Sequence, residues 1–421
     1  MKLSLLLLAA SCAGSAAMRA GDSHIAAGAV NALGVDLYHA QTHGEGNLLL
    51  SPYSIQNALA MTCAGADGDT RAEMQRVLHF PADEDALDGS FAALAHELSD
   101  AAAKSVEAVK QSKKSGGPNT PIEFALANRL FAQRGYDFRP AFLNLVMDRY
   151  SAPLEEMDYK KEPEKARATI NHWVEAQTKD HIRQLLSPGS ITPDSRLTLV
   201  NALYLRAPWE EEFNEKATKP DRFLVHGRDA AEVPMMLHKS SCGYAHRDGY
   251  QVVTRPYYGG QLQFVIILPD DPTALPAIEK QVTPTLLGEL ARLPAQDVIL
   301  HLPKFRLEPP TMALGDNLKA LGMRTAFDDP RKSANFDRMA PRKPNDYLYI
   351  SAVFHKTFLA LDEKGTEAAA ATAVIMPTAM AMMPGRMPAP PEVRVDHPFI
   401  FAVQHVPSGA CLFLGRVTDP R

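Results

Sequence analysis

Hydrophobic side chains recur along this chain with two different periods. A period near 3.6 residues is typical of amphipathic helices and predicts helices over residues 22–40, 54–64, 70–78, 86–110, 141–149 and 164–178. Apolar or alternating runs predict strands over residues 122–131, 197–205, 262–268, 298–305, 347–361 and 411–417. Helices dominate the first half and strands the second, without regular βαβ alternation. This order predicts an α+β protein rather than a doubly wound sheet.

The first residues have the profile of a secretory signal. Lys2 precedes a largely apolar run at residues 3–10, and small residues follow at 11–17. The run is too short to span a membrane, so we expect a signal peptide within residues 1–20. Residues 9–12 also resemble a bacterial lipoprotein box, with Cys12 as the lipidated residue. Both alternatives predict a secreted or periplasmic protein; the second adds a lipid anchor at Cys12 and a bacterial source.

Composition places the remaining chain among globular proteins. The sequence has 421 residues, of which 46% are hydrophobic and 22% charged, with a net charge of −5. This mild charge argues against a nucleic-acid binder of the basic-patch type. Cys63, Cys242 and Cys411 are widely spaced and odd in number, so no disulfide framework is expected. Length alone would allow nearly three domains, but no composition shift or internal repeat marks a boundary.

Two segments are predicted to be loops. Residues 110–120 carry Lys110, Lys113 and Lys114 beside two glycines and a proline; this segment is either a solvated connection or a site for an anionic polymer. Residues 376–391 contain five of the 32 prolines. Because proline lacks an amide donor, these prolines forbid a helix or a central strand there.

Motifs of known enzymes are missing. The sequence has no nucleophile elbow, no Walker loop and no dinucleotide fingerprint. The pair His96 and Glu97 opens like a zinc-protease motif, but Asp100 occupies the position of the second histidine. We therefore expect a protein that is not an enzyme and needs neither a metal nor another cofactor.

Residues 347–374 combine features that an ordinary linker does not explain. A long predicted strand ends in Asp362-Glu363-Lys364, and Gly365 follows as a flexible position. The next residues, 366–374, are almost all small. In an extended chain one face of this run would be small and uncharged, while the other would carry its only charge, Glu367, outward. Such a segment suits a strand that inserts late into a sheet.

Several motifs in order resemble one known family, the serpins. The hinge sequence at residues 362–372 (D-E-K-G-T-E-A-A-A-A-T) is similar to the hinge of inhibitory serpins residue for residue. The other matching blocks are N-L-L-L-S-P-Y-S-I at 47–55, L-V-N-A-L-Y-L at 199–205 with Trp209, L-P-K-F at 302–305, Ser351 with His355-Lys356, H-P-F-I-F at 397–401 and L-F-L-G-R at 412–416. The resemblance runs from about residue 26 to the C-terminus.

The resemblance implies a fold and a mechanism. It implies one domain over residues 21–421 with three β-sheets, about nine helices and an exposed reactive-centre loop. It also implies suicide inhibition of a serine protease, and possible inhibition of cysteine proteases. The target cleaves the loop, becomes trapped as an acyl-enzyme, and is carried away when the loop inserts into the main sheet. A target protease is then the expected partner of a monomeric protein.

The resemblance also implies roles for individual residues. Gly365 would be the hinge beside Glu363, and Thr366 the first residue to insert. The small residues that keep insertion fast would be Ala368, Ala369, Ala370 and Ala371, flanked by Glu367 and Thr372. A polar cluster beneath the sheet opening, called the shutter, would comprise Ser51, Ser54, Asn201 and His355. Trp209 would mark the top of the opening, called the breach, with Glu363 and Lys304 nearby.

Two positions compete for the bond that the protease cleaves. Counting from the hinge, as in the family, gives Ala379–Met380 and an elastase- or subtilisin-like target with a small or apolar pocket. Counting back from residues 390–393 gives Arg386–Met387 and a trypsin-like target. We favour the first, because the inserted strand must have the right length. The main alternative function is a non-inhibitory serpin, acting as a binding or storage module or as a plain protease substrate.

Overall fold

The computed structural model describes residues 22–112, 120–150, 152–366 and 389–421. The predicted signal at 1–20 with Cys12, the lysines Lys113 and Lys114, and the loop residues 367–388 lie outside this part of the chain. Within it, Lys110 is exposed near the end of a long helix and pairs with Glu107 at 3.4 Å. No helix of the described residues is long and apolar enough to cross a membrane.

Nine α-helices form in the described residues. They are α1 (His24–Gln41), α2 (Pro52–Ala64), α3 (Gly68–Val77), α4 (Glu84–Ser112), α5 (Pro140–Tyr150), α6 (Pro163–Gln177), α7 (Leu275–Glu279), α8 (Pro284–Leu290) and α9 (Gly315–Ala320). The six helices predicted from the 3.6-residue period are confirmed within a few residues. Proline at the first turn suits α2, α6 and α8, because that position needs no amide donor.

The strands fall into two hydrogen-bonded sheets. The nine-stranded sheet contains β1 (Leu48–Leu50), β5 (Lys219–Val225), β6 (Asp229–Arg247), β7 (Tyr250–Pro256), β8 (Leu262–Pro269), β9 (Ala295–Pro303), β15 (Glu392–Arg394), β16 (Phe399–His405) and β17 (Cys411–Val417). The eight-stranded sheet contains β2 (Glu123–Gln133), β3 (Glu155–Met157), β4 (Leu197–Pro208), β10 (Phe305–Leu307), β11 (Met312–Ala313), β12 (Ile350–Thr357), β13 (Leu359–Asp362) and β14 (Gly365–Thr366).

The α+β prediction is confirmed, with two differences in the strands. The described strands form two networks instead of three separate sheets, because the long strand β6 pairs with β5 and β9 along most of its length and with β7 at its end. The single strand predicted over residues 347–361 is wrong. The chain forms two strands, β12 and β13, which are interrupted at Phe358 and pair with different neighbours.

Strand β4 separates two hydrophobic cores. Because successive side chains of a strand point to opposite faces, Leu199, Leu203 and Leu205 join the larger core. Val200 and Tyr204 pack in the second core, which α6 covers. Helix α2 lies on the side of the larger core and is almost wholly buried. The sheet around β4 is therefore covered on both faces.

Candidate functional site

The partner of β4 changes along the strand: β12 pairs with its first part, and β14 pairs with its end. Along most of their length β4 and β12 pair directly in parallel, with His355 opposite Asn201. Beyond that pairing, β14 lies between β4 and β13 and pairs antiparallel with both, with Thr366 opposite Ala207 and Leu361. Gly365 and Thr366 therefore already lie in the sheet as the start of a new strand.

Gly365 is the residue that lets the chain turn into this position. Its φ of +149° lies in a region that residues with a side chain rarely adopt. A Cβ atom there would also meet the Ala207 carbonyl oxygen and lie 2.7 Å from Pro208 Cα. Conformation and packing both require glycine, which agrees with the hinge role that the resemblance implies.

Thr366 is fully buried at the top of the opening. Its hydroxyl forms a hydrogen bond with the hydroxyl of Tyr257, a buried residue that follows β7. Tyr257 in turn stacks on Trp209, with ring centroids 4.6 Å apart and planes 3° apart. The first inserted residue thus rests on an aromatic platform that bridges the two sheets.

Trp209 joins this platform to the hinge. The side chain is fully buried, and its indole Nε1 donates to the Asp362 carbonyl at 3.0 Å. Its backbone amide donates to the Lys364 carbonyl at 2.9 Å, and the amide of Phe213 donates to the Glu363 carbonyl at 2.8 Å. Three consecutive hinge carbonyls are therefore held by residues 209–213.

Glu363 is a buried carboxylate with two partners. Lys304 pairs with it at 2.8 Å, and the Thr218 hydroxyl donates to it at 2.7 Å. Burial alone would raise the pKa of Glu363, but these two partners outweigh it and hold the pKa below its usual value. The structure thus places Trp209, Glu363 and Lys304 together, as the sequence predicted for the breach.

The shutter residues meet where β4 and β12 pair directly. Since the Ser51 amide donates to His355 Nε2 at 3.0 Å, the ring proton must sit on Nδ1, which donates to Asn201 Oδ1 at 2.5 Å. Complete burial lowers the pKa of His355 to about 3. Ser54 belongs to the same cluster: its hydroxyl donates to Asn128 Oδ1 at 2.9 Å. Because burial lowers its pKa this far, His355 is neutral at pH 7.

Three residues of this region were missed in the sequence. Asn128 lies opposite Asn201 on the neighbouring strand β2, and its Nδ2 also donates to the Ser54 carbonyl at 3.1 Å. Arg255 is buried near the end of β7, and the buried Tyr257 directly follows this strand. Only Arg255 left a signal, as a charged residue directly after the β-branched run V-V-T at 252–254.

The remaining site residues lie outside the described part of the chain. They are the hinge residues Glu367, Ala368, Ala369, Ala370, Ala371 and Thr372, the predicted bond Ala379–Met380 and its alternative Arg386–Met387. Elsewhere, Cys63, Cys242 and Cys411 are buried free thiols. No group of histidine, cysteine or acidic side chains in the described ranges could hold a metal ion.

Comparison with known proteins identifies the family. The family model described as "Serpin (serine protease inhibitor)" matches residues 28–420. This chain belongs to the serpin family. Serpins are protease inhibitors rather than enzymes, which agrees with the missing catalytic motifs. The roles that the resemblance implies for the shutter and breach residues stay predictions.

Curated relatives and solved serpin structures cover nearly the whole chain. The leukocyte elastase inhibitor of Bos taurus is 38% identical over 92% of this chain and 97% of its own length. The human leukocyte elastase inhibitor is 34% identical with the same coverage. Serpin48 from the insect Tenebrio molitor has a TM-score of 0.75 at 28% identity, covering 93% of this chain and 97% of its own.

A thermophilic serpin, tengpin, was solved in its native state and also resembles this chain. The TM-score is 0.77 at 26% identity, with 93% of each chain covered. Both leukocyte elastase inhibitors are mammalian, so they lend no support to the bacterial source that the lipoprotein-like box suggests. That source stays a prediction.

Proposed function

We propose that this serpin is a secreted suicide inhibitor of serine proteases with an elastase- or subtilisin-like specificity. The observation that carries the proposal is the position of Gly365 and Thr366 between β4 and β13. A hinge already seated in the sheet can continue inserting once the loop is cut. The names of the mammalian relatives, leukocyte elastase inhibitors, support the choice of target.

The observed strand registers extend into a defined path for the loop. Residue 366 pairs with 207 on β4 and with 361 on β13. If both registers continued along the sheet after cleavage, Thr372 would lie between Asn201 and His355, which now face each other directly. Met376 would then lie opposite Leu197, the first residue of β4. Pro377 would lie beyond the ladder and cost no hydrogen bond within it.

This path also explains the small residues of the hinge. On the face of Thr366, residues 368 and 370 would enter the larger core beside Leu205 and Leu203, where bulky side chains would have to displace packed leucines. On the other face, Glu367 would lie beside Arg206. Arg206 already pairs with Glu123 at 2.8 Å, so a second carboxylate could share its guanidinium.

Insertion would provide the driving force for inhibition. The uncleaved protein is kinetically trapped, and a new central strand adds backbone hydrogen bonds and buried area on both sides. An acyl-enzyme attached to the loop moves with it. Its hydrolysis then stalls because the oxyanion hole of the protease is distorted. Serine and cysteine proteases both pass through an acyl-enzyme, so both classes could be trapped.

The site of cleavage and the location of the protein are parts of the same proposal. If the inserted strand ended near Met376, the bond Ala379–Met380 would lie close to the end of the sheet, whereas Arg386–Met387 would lie on a longer tether. The shorter tether favours Ala379–Met380. Residues 1–20 support secretion or export to the periplasm, with a lipid on Cys12 as the alternative, followed by a single monomeric domain over 21–421.

A panel of proteases tests the proposal. The protein is incubated with elastase-, subtilisin-, trypsin- and papain-like enzymes, and the products are separated in SDS. We expect a covalent complex with the elastase- or subtilisin-like enzyme, and a released C-terminal peptide beginning at Met380. A peptide beginning at Met387 would assign the bond to Arg386. Complete cleavage by every enzyme without a complex would reject inhibition in favour of the non-inhibitory alternative.

A further inference from the structure

The breach contains a buried arginine that forms no salt bridge within the described residues. Arg255, near the end of β7, is only 2% exposed. None of its hydrogen bonds within the described residues goes to a carboxylate, and its Nε has no partner there. Burial lowers the pKa of this guanidinium below its usual value. A cation in such a place is costly unless its surroundings are built to receive it.

The surroundings of Arg255 combine neutral hydrogen-bond partners and aromatic faces with the favourable charge of the nearby Glu211 carboxylate. Both terminal nitrogens also lie 3.4 Å from His238 Nδ1. Arg255 Nη1 donates to the Ser240 hydroxyl at 2.9 Å, and Arg255 Nη2 donates to the Glu211 carbonyl. The guanidinium carbon lies 4.2 Å from the ring centroid of Phe213 and 5.3 Å from that of Trp209. Aromatic faces attract a cation most strongly where water is excluded.

These contacts converge on one short segment, residues 209–213. Arg255 touches its first residue, its middle carbonyl and its last residue. The same segment holds three consecutive hinge carbonyls through the indole and amide of Trp209 and the amide of Phe213. Residues 209–213 therefore connect the side chain of Arg255 to the hinge carbonyls.

We propose that Arg255 is a positioning residue of the breach: it fixes residues 209–213 against the nine-stranded sheet and thereby holds the hinge in its partly inserted state. The consequence for inhibition rests on the function proposed above, whereas the positioning itself does not. An apolar side chain in place of Arg255 would leave the Glu211 carbonyl without its donor and both rings without the cation. The hydrogen bonds between residues 209–213 and the hinge carbonyls would break more often. The breach would then open more often, and the intact loop would insert spontaneously at a higher rate.

Amide hydrogen exchange of the intact protein tests this proposal directly. In Arg255→Met we expect exchange in peptides covering 209–213 and 362–366 to be about tenfold faster than in the wild type, the factor that corresponds to losing one cation–π contact of intermediate strength. Peptides from β16 and β17 should be unchanged. Arg255→Lys keeps the charge without the planar fork and should fall between the two.

A matched control separates positioning from general stability. Arg129 also lies over a tryptophan, with its guanidinium carbon 4.4 Å from the Trp173 ring, but on β2 away from the hinge. Arg129→Met should leave exchange at 362–366 unchanged. Unchanged exchange at 209–213 in Arg255→Met, or faster exchange throughout the protein, would overturn the proposal. If Arg255→Met does not fold, the same comparison is made with Arg255→Lys, and wild-type exchange there would overturn it equally.

The rate of spontaneous insertion links the positioning to inhibition. On incubation, Arg255→Met should lose its ability to form a protease complex about tenfold faster than the wild type. Equal rates would overturn the link. A wild type that never traps a protease would overturn the proposed function, while the exchange measurement would still decide the role of Arg255.

Discussion

Protonation of His355 should weaken the closed state of the sheet in acid. In the folded protein Nε2 accepts from the Ser51 amide and Nδ1 donates to Asn201, so the neutral ring is fully used. A proton on Nε2 would face the Ser51 N–H and break that bond. This geometry agrees with the burial that lowers the pKa of His355 to about 3.

The size and sign of the effect follow from the difference between folded and unfolded pKa values. An unfolded histidine has a pKa of about 6.5, so between that pH and about 3 the unfolded chain binds a proton that the folded protein refuses. The stability contributed by neutral His355 is complete above pH 6.5 and is lost as the pH falls. The loss is about 1.4 kcal/mol per pH unit, or about 2 kcal/mol at pH 5.

Denaturant unfolding of the uncleaved protein at pH 7 and pH 5 measures this loss. His238 and His405 also have pKa values lowered to about 4 by burial and contribute in the same direction, so the wild type is compared with His355→Gln. The free energy of unfolding should fall by about 2 kcal/mol more in the wild type than in the variant. The exposed His172 supplies the control His172→Gln. Equal falls in wild type and His355→Gln would refute the reasoning.

Three further changes test the hinge and the loop. Thr366→Arg puts a charge where a fully buried hydroxyl now meets Tyr257; the variant should be cleaved as a substrate, and retained covalent complex on SDS gels would count against insertion. Lys304→Met leaves the Glu363 carboxylate with one side-chain partner, the Thr218 hydroxyl. This variant should lower the free energy of unfolding by about 2 kcal/mol. A denaturant curve identical to that of the wild type would disprove this. Mild oxidation of the methionines within 376–387 creates polar sulfoxides and should weaken inhibition; full activity after mass spectrometry confirms the sulfoxides would exclude this.

Local pattern predicted the six longer helices and several apolar strands, but it missed the short helices α7, α8 and α9, the strands β7 and β16, and the long mixed strand β6. Its 19 residues include Pro234, Gly243 and several polar side chains, and its burial pattern is irregular. Strand β6 is held by pairing with β5, β7 and β9. Strands β5 and β7 are hairpin neighbours of β6, whereas each paired residue of β9 lies more than 50 residues beyond its partner in β6. The irregular burial pattern of β6 therefore gives no regular period, although part of its pairing is local.

The same distinction separates the predicted parts of the site from the missed ones. Each hinge or shutter residue belongs to a motif that is contained in its own short stretch of sequence. The structure places Asn201, His355 and Ser51, from three such motifs, within one hydrogen-bonded cluster. Asn128 and Tyr257 have no such motif. They matter because strand registers bring them opposite Asn201 and beneath Thr366, and registers are properties of the folded sheet.

After cleavage, the loop should become a strand between β4 and β12. Thermal unfolding before and after cleavage of the loop tests it most directly, because an added central strand must stabilise the sheet. We expect the cleaved protein to remain folded at temperatures where the uncleaved protein is fully unfolded, and Thr366→Arg to show a smaller gain. Equal unfolding temperatures for the cleaved and uncleaved wild type would contradict the account.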